Sequence, residues 1–268
     1  MKSYLKLLLI LAIPLVVIAL YGLSDITVGP EENELAKADF SDLDRFLHPE
    51  IAEREKFVED SLRQDSILQE KKKKESELDT CSQRILYFGD SMVEYTGMRM
   101  GDYAKYNGHE LTSVCWYSSG TKWWAETDTL SYFIKKVEPT FIMVCLGGNE
   151  QFTKDLENCD KRIKKIVSEF GDIPFVWICT PSWKGDTGIN AIAEKYAGKK
   201  RFFDSRKLTF QRGKDHAHPV KSSAYQWVDS VAAWLQSKET AHPIRMKAPE
   251  PEYNAKHYNV ILSPMKTK

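Results

Sequence analysis

From Ser82 onwards, short apolar runs rich in bulky and β-branched residues alternate with segments of helix length. Such runs predict buried strands, and the segments between them predict helices. The predicted strands cover residues 84–88, 110–117, 140–146, 174–179 and 201–203. The predicted helices cover residues 93–107, 127–138, 154–170, 188–198 and 220–237.

Alternation of apolar strands with helices is typical of a parallel sheet that is covered by helices on both faces. The pattern therefore predicts an α/β domain at residues 81–239, a three-layer αβα sandwich around a central five-stranded parallel sheet. In such sheets, ligands bind at the carboxyl ends of the strands. We therefore expect the residues that follow each strand to converge on one edge of the sheet.

The start of the chain has a different pattern. Lys2 and Lys6 precede a nearly continuous apolar run at residues 7–23, and acidic residues follow it. This charge order indicates that the bulk of the chain lies outside the cytoplasm, which in a Gram-negative cell is the periplasm. We expect residues 1–24 to form an uncleaved signal anchor, a single transmembrane helix in the cell membrane, with a cleaved signal sequence as the alternative.

Residues 25–80 are rich in acidic residues and poor in aromatic ones, which is typical of a charged, solvated spacer. Within it, residues 49–78 are expected to form an exposed helix, with a partner-binding or coiled-coil helix as the alternative. The tail at residues 240–268 contains four prolines and is expected to be extended. Its aromatic and apolar residues, including 260–262, leave open that it docks back onto the domain.

The first predicted strand runs into Gly89-Asp90-Ser91, and a helix is expected to begin near Met92. A glycine lets the chain turn at the end of the strand, and the start of the helix offers unpaired N–H groups near the positive end of its dipole. Such a turn presents Ser91 in a position that suits a nucleophile. On this stretch alone, an ordinary turn with an N-capping serine is the alternative.

Residues suited to acyl transfer follow the other strands. Gly120 follows the second strand, Asn149 follows the third, and Asp215 and His218 lie in a loop before the last helix. A serine hydroxyl becomes a good nucleophile when an imidazole accepts its proton and a carboxylate orients that imidazole. Ser91, His218 and Asp215 could form this set. The backbone N–H groups of Ser91 and Gly120, with the side-chain amide of Asn149, could then bind an oxyanion.

In order and approximate spacing, Gly89-Asp90-Ser91, Gly120, Gly147-x-Asn149 and Asp215-x-x-His218 resemble the four blocks of the SGNH (GDSL-like) hydrolase superfamily. The resemblance covers residues 82–237 and implies a flavodoxin-like fold. It also implies that the serine is the nucleophile, the histidine the general base and the aspartate the third member of a catalytic triad. The glycine and the asparagine are then oxyanion donors, together with the N–H group of the serine.

Two positions depart from the family pattern. Glu150 follows Asn149 where an aspartate is common, which leaves the amide donor intact but alters the support expected for its loop. Met92 replaces the leucine of the eponymous motif and keeps the position apolar. His216 is a second histidine in the last block. The Asp-x-x-His spacing selects His218 as the base and leaves His216 as a loop or substrate-contact residue.

Aromatic residues bracket the second block and follow the fourth strand. Their faces could stack on sugar rings beside an esterase centre, which suggests an O-acylated glycan as substrate. Packing in the body of the domain is the alternative for most of them. The residues are Trp116, Tyr117, Trp123, Trp124 and Trp183.

Composition narrows the function classes. Basic and acidic residues each number 38, and this zero net charge argues against a nucleic-acid-binding protein. The five cysteines form no C-x-x-C pair and are interpreted as buried thiols, with a Cys81–Cys159 disulfide left open. No metal site or cofactor is indicated, and we expect the remaining isolated histidines to lie at the surface. These are His48, His109, His242 and His257.

Together these features predict a Ser-dependent esterase that acts on O-acylated, most simply O-acetylated, carbohydrate outside the cytoplasm. Hydrolysis is favoured over acyl transfer. The alternatives are an O-acetyltransferase of cell-surface polysaccharide, for which the resemblance implies a membrane-bound acyl exporter as partner, a non-catalytic glycan-binding module, and a lipase. A glycosidase that uses Glu94 and Glu150 is disfavoured, because the Ser-His-Asp set already accounts for the site.

Overall fold

The computed structural model describes residues 2–22, 24, 26, 28–29 and 49–265. The chain divides into two compact units, Met1–Glu70 and Lys71–Lys268. Near the start of the first unit, helix α1 covers Lys2–Gly22. Within the described ranges, no helix combines the length and the apolarity that crossing a membrane requires.

Helix α2 (Pro49–Ser76) follows in the chain. Large apolar side chains on it, such as Phe57 and Leu62, are exposed. The helix predicted at residues 49–78 is confirmed to within two residues at its end. Residues 30–48 of the predicted spacer lie outside the described residues.

Six strands form one parallel sheet in the second unit. They are β1 (Arg84–Gly89), β2 (Glu110–Trp116), β3 (Phe141–Cys145), β4 (Phe175–Ile178), β5 (Phe202–Phe203) and β6 (Val260–Leu262). Their order across the sheet is β5-β4-β3-β1-β2-β6, with every neighbouring pair parallel. The first five strands thus have the order 2-1-3-4-5 of flavodoxin-like folds, in which ligands bind beyond the carboxyl ends of the strands.

Six helices cover the two faces of this sheet. They are α3 (Val93–Tyr106), α4 (Thr121–Glu126), α5 (Thr129–Val137), α6 (Leu156–Glu169), α7 (Ile189–Ala197) and α8 (Lys221–Leu235). Helices α3 and α8 contribute to one hydrophobic core, and α4 to α7 contribute to the other. The predicted three layers are therefore confirmed.

Side chains of the central strand alternate between the two cores. Leu86 and Phe88 of β1 belong to the core beneath α4 to α7, whereas Ile85 and Tyr87 belong to the core beneath α3 and α8. All four are at most 1 % exposed. A strand that is buried on both faces reads as a continuous apolar run, which is why β1 could be recognised in the sequence.

The prediction of five strands is wrong by one strand. β6 comes from the tail, and residues 260–262 pair with Val114, Cys115 and Trp116 of β2. The structure therefore shows the alternative in which the tail docks back onto the domain. Three residues are too few to give a strand pattern of their own, so this strand depends on pairing with β2. The short helix α4 was not predicted either.

Gly89 ends β1 at a point where β1 and β3 lie unusually close. A Cβ atom at this position would overlap the carbonyl oxygen of Cys145. From the sequence, we explain Gly89 by the turn that the chain makes there. The structure shows that a glycine is needed because the neighbouring strand leaves no space for a Cβ atom. This close approach fixes the end of β1, and with it the start of the turn that carries Ser91.

Candidate active site

The three side chains of the predicted triad are hydrogen-bonded in series. Ser91 Oγ lies 2.7 Å from His218 Nε2, and His218 Nδ1 lies 2.6 Å from Asp215 Oδ2. When the Nδ1–H group donates to the carboxylate, Nε2 presents its lone pair to the serine hydroxyl. The fold thus brings together two residues that are 127 positions apart in the sequence.

Asp215 also organises its own loop. Its Oδ1 atom accepts the backbone N–H groups of Ala217 at 2.9 Å and His218 at 3.0 Å. The Ala217 N–H group, followed by the His218 ring, lowers the pKa of Asp215 to about 2. The carboxylate is therefore ionised at neutral pH, and it can hold the imidazole although its side chain is 53 % exposed.

Asp90 connects the serine turn with the loop that follows β3. Its Oδ1 atom accepts the Met92 N–H group at 3.0 Å, and Oδ2 accepts the Gly148 N–H group at 2.9 Å. Asp90 is buried, and burial raises its pKa to about 6 against the opposing effect of the two N–H donors. The sequence analysis gave this residue no role, although its place in the first block was a signal.

Asn149 is tied to the loop that carries Gly120. Its Nδ2 atom donates to the carbonyl oxygen of Ser119 at 2.9 Å. A primary amide has two N–H groups, so this bond leaves one of them for an oxyanion. The structure therefore places the two predicted oxyanion residues on neighbouring, hydrogen-bonded loops.

Glu150 supports the Gly120 loop through hydrogen bonds to Thr121, the next residue of that loop. Its carboxylate accepts the Thr121 N–H group at 2.8 Å and the Thr121 hydroxyl at 2.6 Å. A Cβ atom on Gly120 would lie 2.8 Å from the Glu150 carboxyl carbon, so a side chain here would push the Glu150 carboxylate out of its place. The departure from the family pattern at Glu150 thus provides a carboxylate long enough to reach across to the loop.

The glycosidase alternative is not supported by the surroundings of its two carboxylates. The Glu150 carboxylate accepts two hydrogen bonds from Thr121. Glu94 lies beside Tyr117, and burial, followed by this carboxylate, raises the pKa of Tyr117 to about 12. Each carboxylate therefore has a partner within the protein.

Two backbone conformations with positive φ shape the loops after β2 and β3. Ser118 has φ 58° and Gly147 has φ 113°. Positive φ is uncommon for a serine, and such strain concentrates at functional sites. Each of them lies two residues before a predicted oxyanion residue, Gly120 and Asn149 respectively.

Most of the aromatic residues predicted near the site pack inside the domain. Trp116 and Trp124 are buried and meet edge to face with ring centroids 5.2 Å apart. Trp123 is half-buried and lies 5.3 Å from Trp116. The packing alternative is therefore right for these three tryptophans.

Trp183 is also half-buried, but it differs from these three in lying beside the loop that carries His218. Its ring is 5.7 Å from that of Phe152, which is 49 % exposed. The guanidinium group of Arg212 lies 5.9 Å from the Trp183 ring and donates to the carbonyl oxygens of Ala217 and Ser182. The sequence analysis missed Phe152 and Arg212, whose placement depends on contacts between loops.

Among the histidines, His218 is the one bonded to Ser91, as the motif spacing predicts, and His216 is exposed on the same loop. The surface prediction is wrong for His109, which is 4 % exposed. It is also wrong for His257, whose ring is partly buried and hydrogen-bonded to Ser113. His242 is partly buried, and His48 lies outside the described residues.

The five cysteines are free thiols, so the Cys81–Cys159 disulfide alternative is wrong. Cys81 is exposed, contrary to prediction, and the other four are buried as predicted. Burial raises the pKa of Cys115 and Cys179 to about 12, which makes these thiols poor nucleophiles.

A small cavity of about 20 Å³ adjoins Ser91 and His218, with Tyr95, Ala224 and Trp227 among its walls. A cavity of roughly 10–15 Å³ by this measure holds one water molecule, so the space suits a methyl-sized group. A larger cavity of about 430 Å³ lies at the amino ends of the strands, away from the triad.

No family model and no curated protein matches the sequence. Similar solved structures include the psychrotrophic esterase EstA from Pseudoalteromonas sp., at 15% identity and TM-score 0.44, covering 56% of this chain and 97% of that chain. The carbohydrate acetylesterase Est24 from Sinorhizobium meliloti has 14% identity and TM-score 0.44, covering 56% and 98%. The acetyl xylan esterase AlAXEase has 15% identity and TM-score 0.43, with the same coverage.

At these identities and TM-scores, the likeness carries no conclusion about what this chain does. What the site can do follows from the hydrogen bonds of this chain, which join all four blocks. Ser91 bonds His218, Asp90 bonds Gly148, and Asn149 bonds Ser119.

Proposed function

We propose that this chain is a Ser-dependent esterase that removes an acyl group, most simply acetyl, from O-acylated carbohydrate outside the cytoplasm. The observation that carries the proposal is the hydrogen-bonded series Ser91–His218–Asp215, with distances of 2.7 and 2.6 Å. A glycan-binding module has no need of an imidazole bonded to a serine hydroxyl. The geometry therefore favours catalysis over that alternative.

In the first step, Ser91 Oγ attacks the carbonyl carbon of the ester while its proton passes to His218 Nε2. The carbonyl oxygen becomes an oxyanion, which the N–H groups of Ser91 and Gly120 and the free amide N–H of Asn149 would stabilise. Asp215 stabilises the imidazolium that forms. The C–O bond to the sugar then breaks, the sugar oxygen takes the proton from His218, and an acyl-enzyme remains on Ser91.

In the second step, water attacks the acyl-enzyme and transfers a proton to His218. The acid leaves, and Ser91 Oγ recovers its proton from the imidazolium. A sugar hydroxyl in the place of water would turn the same steps into acyl transfer. Hydrolysis is the simpler reaction because it requires no second bound sugar.

The small cavity beside the triad supports acetyl as the acyl group. Its volume of about 20 Å³ lies directly against Ser91 and His218. Trp227, which lines this cavity, is buried, and its Nε1 atom donates a 2.8 Å hydrogen bond to Ser205 Oγ. Moving this side chain to enlarge the cavity would therefore cost free energy. A methyl group fits such a space, and a longer acyl chain would have to displace a core side chain.

Carbohydrate as the leaving group is supported by the aromatic pair Phe152 and Trp183. Phe152 is 49 % exposed, and Trp183 is linked through Arg212 to the loop that carries His218. Exposed aromatic rings near a polar reaction centre suit the apolar faces of sugar rings. The location outside the cytoplasm is supported by the sequence, in which Lys2 and Lys6 precede the apolar run.

The proposal is tested by assaying the full chain, as wild type and Ser91→Ala, on p-nitrophenyl acetate, acetylated xylan and O-acetylated peptidoglycan, with acetate release as the measurement. Ser222→Ala, at an exposed serine at the start of α8, is the matched control. We expect acetate release by the wild type and the control, and its loss in Ser91→Ala. Hydrolysis that survives Ser91→Ala would remove this serine from its proposed role.

Activity on p-nitrophenyl acetate without activity on either acetylated polymer would contradict the carbohydrate part of the proposal alone. Acetate that appears on an added sugar acceptor in place of the solution would replace hydrolysis with acyl transfer. A covalent phosphonate probe gives an independent readout, because a mass increase on Ser91 reports nucleophilicity without any assumption about the substrate.

A further inference from the structure

The tail of the second unit packs against two elements that lead to the candidate oxyanion site. Residues 254–263, hereafter the strap, contact the first turn of α3, which follows Ser91, and the end of β2, which precedes Gly120. Nothing in the reaction steps above uses the strap. Its contacts are nevertheless specific, and they concentrate on one side chain.

That side chain is Asn259. Its Nδ2 atom donates to the carbonyl oxygens of Glu94 at 2.7 Å and Val93 at 3.4 Å, which belong to the first turn of α3. Its Oδ1 atom accepts the Ser113 hydroxyl of β2 at 2.5 Å. One side chain thus joins the helix that begins next to Ser91 with the strand that leads to Gly120.

The strap continues this connection through its backbone. β6 pairs with Val114–Trp116, the last three residues of β2. Beyond the strand, the Tyr117 N–H group donates to the Leu262 carbonyl at 3.1 Å, and Trp116 Nε1 donates to the Ser263 carbonyl at 2.9 Å. The strap therefore follows β2 to within three residues of Gly120.

His257 reinforces the Asn259 contact. Because the Ser113 hydroxyl donates to Asn259, the 2.7 Å bond between Ser113 Oγ and His257 Nε2 needs the imidazole as donor. The hydrogen bonds therefore select the imidazole form that carries its proton on Nε2. The chain of donors and acceptors is complete from His257 through Ser113 to Asn259 and on to α3.

Helix α3 is shaped to receive the strap. Gly97 and Gly101 lie one turn apart in it, and Cβ atoms there would overlap Asn259 Oδ1 and His257 Cβ respectively. Glycine is unfavourable in the interior of a helix. Neither Gly97 nor Gly101 has a positive φ that would require a glycine. The two glycines are thus explained by the space that Asn259 and His257 occupy.

We propose that the strap is a positioning element of the active site, in which Asn259 holds the Ser91 turn and the Gly120 loop at the separation that the oxyanion requires. This inference rests on the proposed esterase function. Asn259 touches no reacting atom, so its effect acts through α3 and β2. Displacement of reacting groups by about 1 Å can lower a rate by about 100-fold, so a small shift between these elements suffices.

The test compares wild type, Asn259→Ala and Tyr258→Ala in the full chain, measuring kcat and KM on p-nitrophenyl acetate together with the thermal unfolding midpoint. Tyr258 is the matched control, since it is the neighbouring strap residue and is 79 % exposed. We expect Asn259→Ala to lower kcat by about 10-fold or more with KM changed less than about twofold. Tyr258→Ala should match the wild type.

A second variant separates positioning from folding. In Gly97→Ala/Asn259→Ala, the new methyl group occupies space that Asn259 vacates, with Ser113 Cβ 3.2 Å away. The better helix propensity of alanine should restore the unfolding midpoint, while kcat stays low because the bonds to Glu94 and Ser113 are gone. Recovery of kcat together with the midpoint would overturn the proposal, because the strap would then serve folding only.

Unchanged kcat in folded Asn259→Ala would likewise overturn the strap proposal and leave the esterase proposal intact. Failure of the proposed function has a different signature. In that case the wild type itself shows neither Ser91-dependent hydrolysis nor phosphonate labelling, whatever the strap variants do.

Discussion

The Gly148 N–H group donates to the buried carboxylate of Asp90 at 2.9 Å, across 58 residues of sequence. Asp90 is the neighbour of Ser91, and Gly148 is the neighbour of Asn149. A single hydrogen bond therefore sets the distance between the turn of the proposed nucleophile and the loop of a proposed oxyanion donor. Since the carboxylate is buried, its ionisation should be measurable in the stability of the protein.

The free energy of unfolding should fall with rising pH because of Asp90. Burial raises its pKa in the folded protein from 3.8 to about 6. Below pH 3.8 the group is protonated in both states, and between pH 3.8 and about 6 only the folded state keeps the proton. The folded state therefore loses stability across this window, by on the order of 3 kcal/mol for a shift of about two units.

Asp90→Asn provides the comparison, because asparagine does not titrate. Its amide must face one of the two N–H donors at every pH, so the variant loses a hydrogen bond in a pH-independent way. Chemical denaturation at pH 4, 5, 6 and 7 should show the wild type losing stability relative to the variant as pH rises. Parallel curves would show that Asp90 has an ordinary pKa.

Substitution of the two histidines of the last block should have very different effects on kcat/KM. His218→Gln removes the group that lies 2.7 Å from Ser91 Oγ, and kcat/KM should fall by on the order of 1,000-fold. His216→Gln alters an exposed neighbour on the same loop and should stay within about twofold of wild type. Steady-state rates on p-nitrophenyl acetate measure both, and a reversed order would assign the base to His216.

Much of the fold could be predicted because parallel strands buried on both faces are apolar throughout. β1 and β3 are examples, and their ends fall within one residue of the predicted strands. β6 escaped prediction because Val260 and Ile261 are 40 % and 51 % exposed and form a strand only through β2. The pattern of apolar residues indicates which segments are buried, whereas this strand is stabilised by pairing with β2, which is distant in the sequence.

The same distinction separates the triad from the residues that support it. Ser91, Asp215 and His218 could be predicted because acyl transfer needs those side chains at strand ends. Asn259 acts through groups of distant segments, which no spacing reveals, whereas Asp90 stands in the first block and could have been given a role from its place there. Two glycines four residues apart in a helix, such as Gly97 and Gly101, are a sequence signal for close packing of another segment against that helix.

Glu150 should be sensitive to side-chain length. Its carboxylate reaches the Thr121 N–H group and hydroxyl at 2.8 and 2.6 Å. Glu150→Asp retracts the carboxylate by one methylene, so the Gly120 loop loses its support and kcat should drop by about 10-fold. Glu157→Asp, at an exposed glutamate of α6, is the control and should leave kcat unchanged. Equal rates for the two variants would show that Glu150 does not position the loop.

Acyl-chain length should have a steep effect on the rate. The cavity of about 20 Å³ beside Ser91 and His218 is bounded by the helix residues Ala224 and Trp227. A butyryl or hexanoyl chain would need to displace buried side chains, at a cost of about 1–3 kcal/mol, so kcat/KM should fall by roughly 5- to 150-fold from the acetate to the hexanoate of p-nitrophenol. Ala224→Val should steepen this decline by filling the cavity further. Rates that rise with chain length would instead indicate an open acyl-binding trough and favour the lipase alternative.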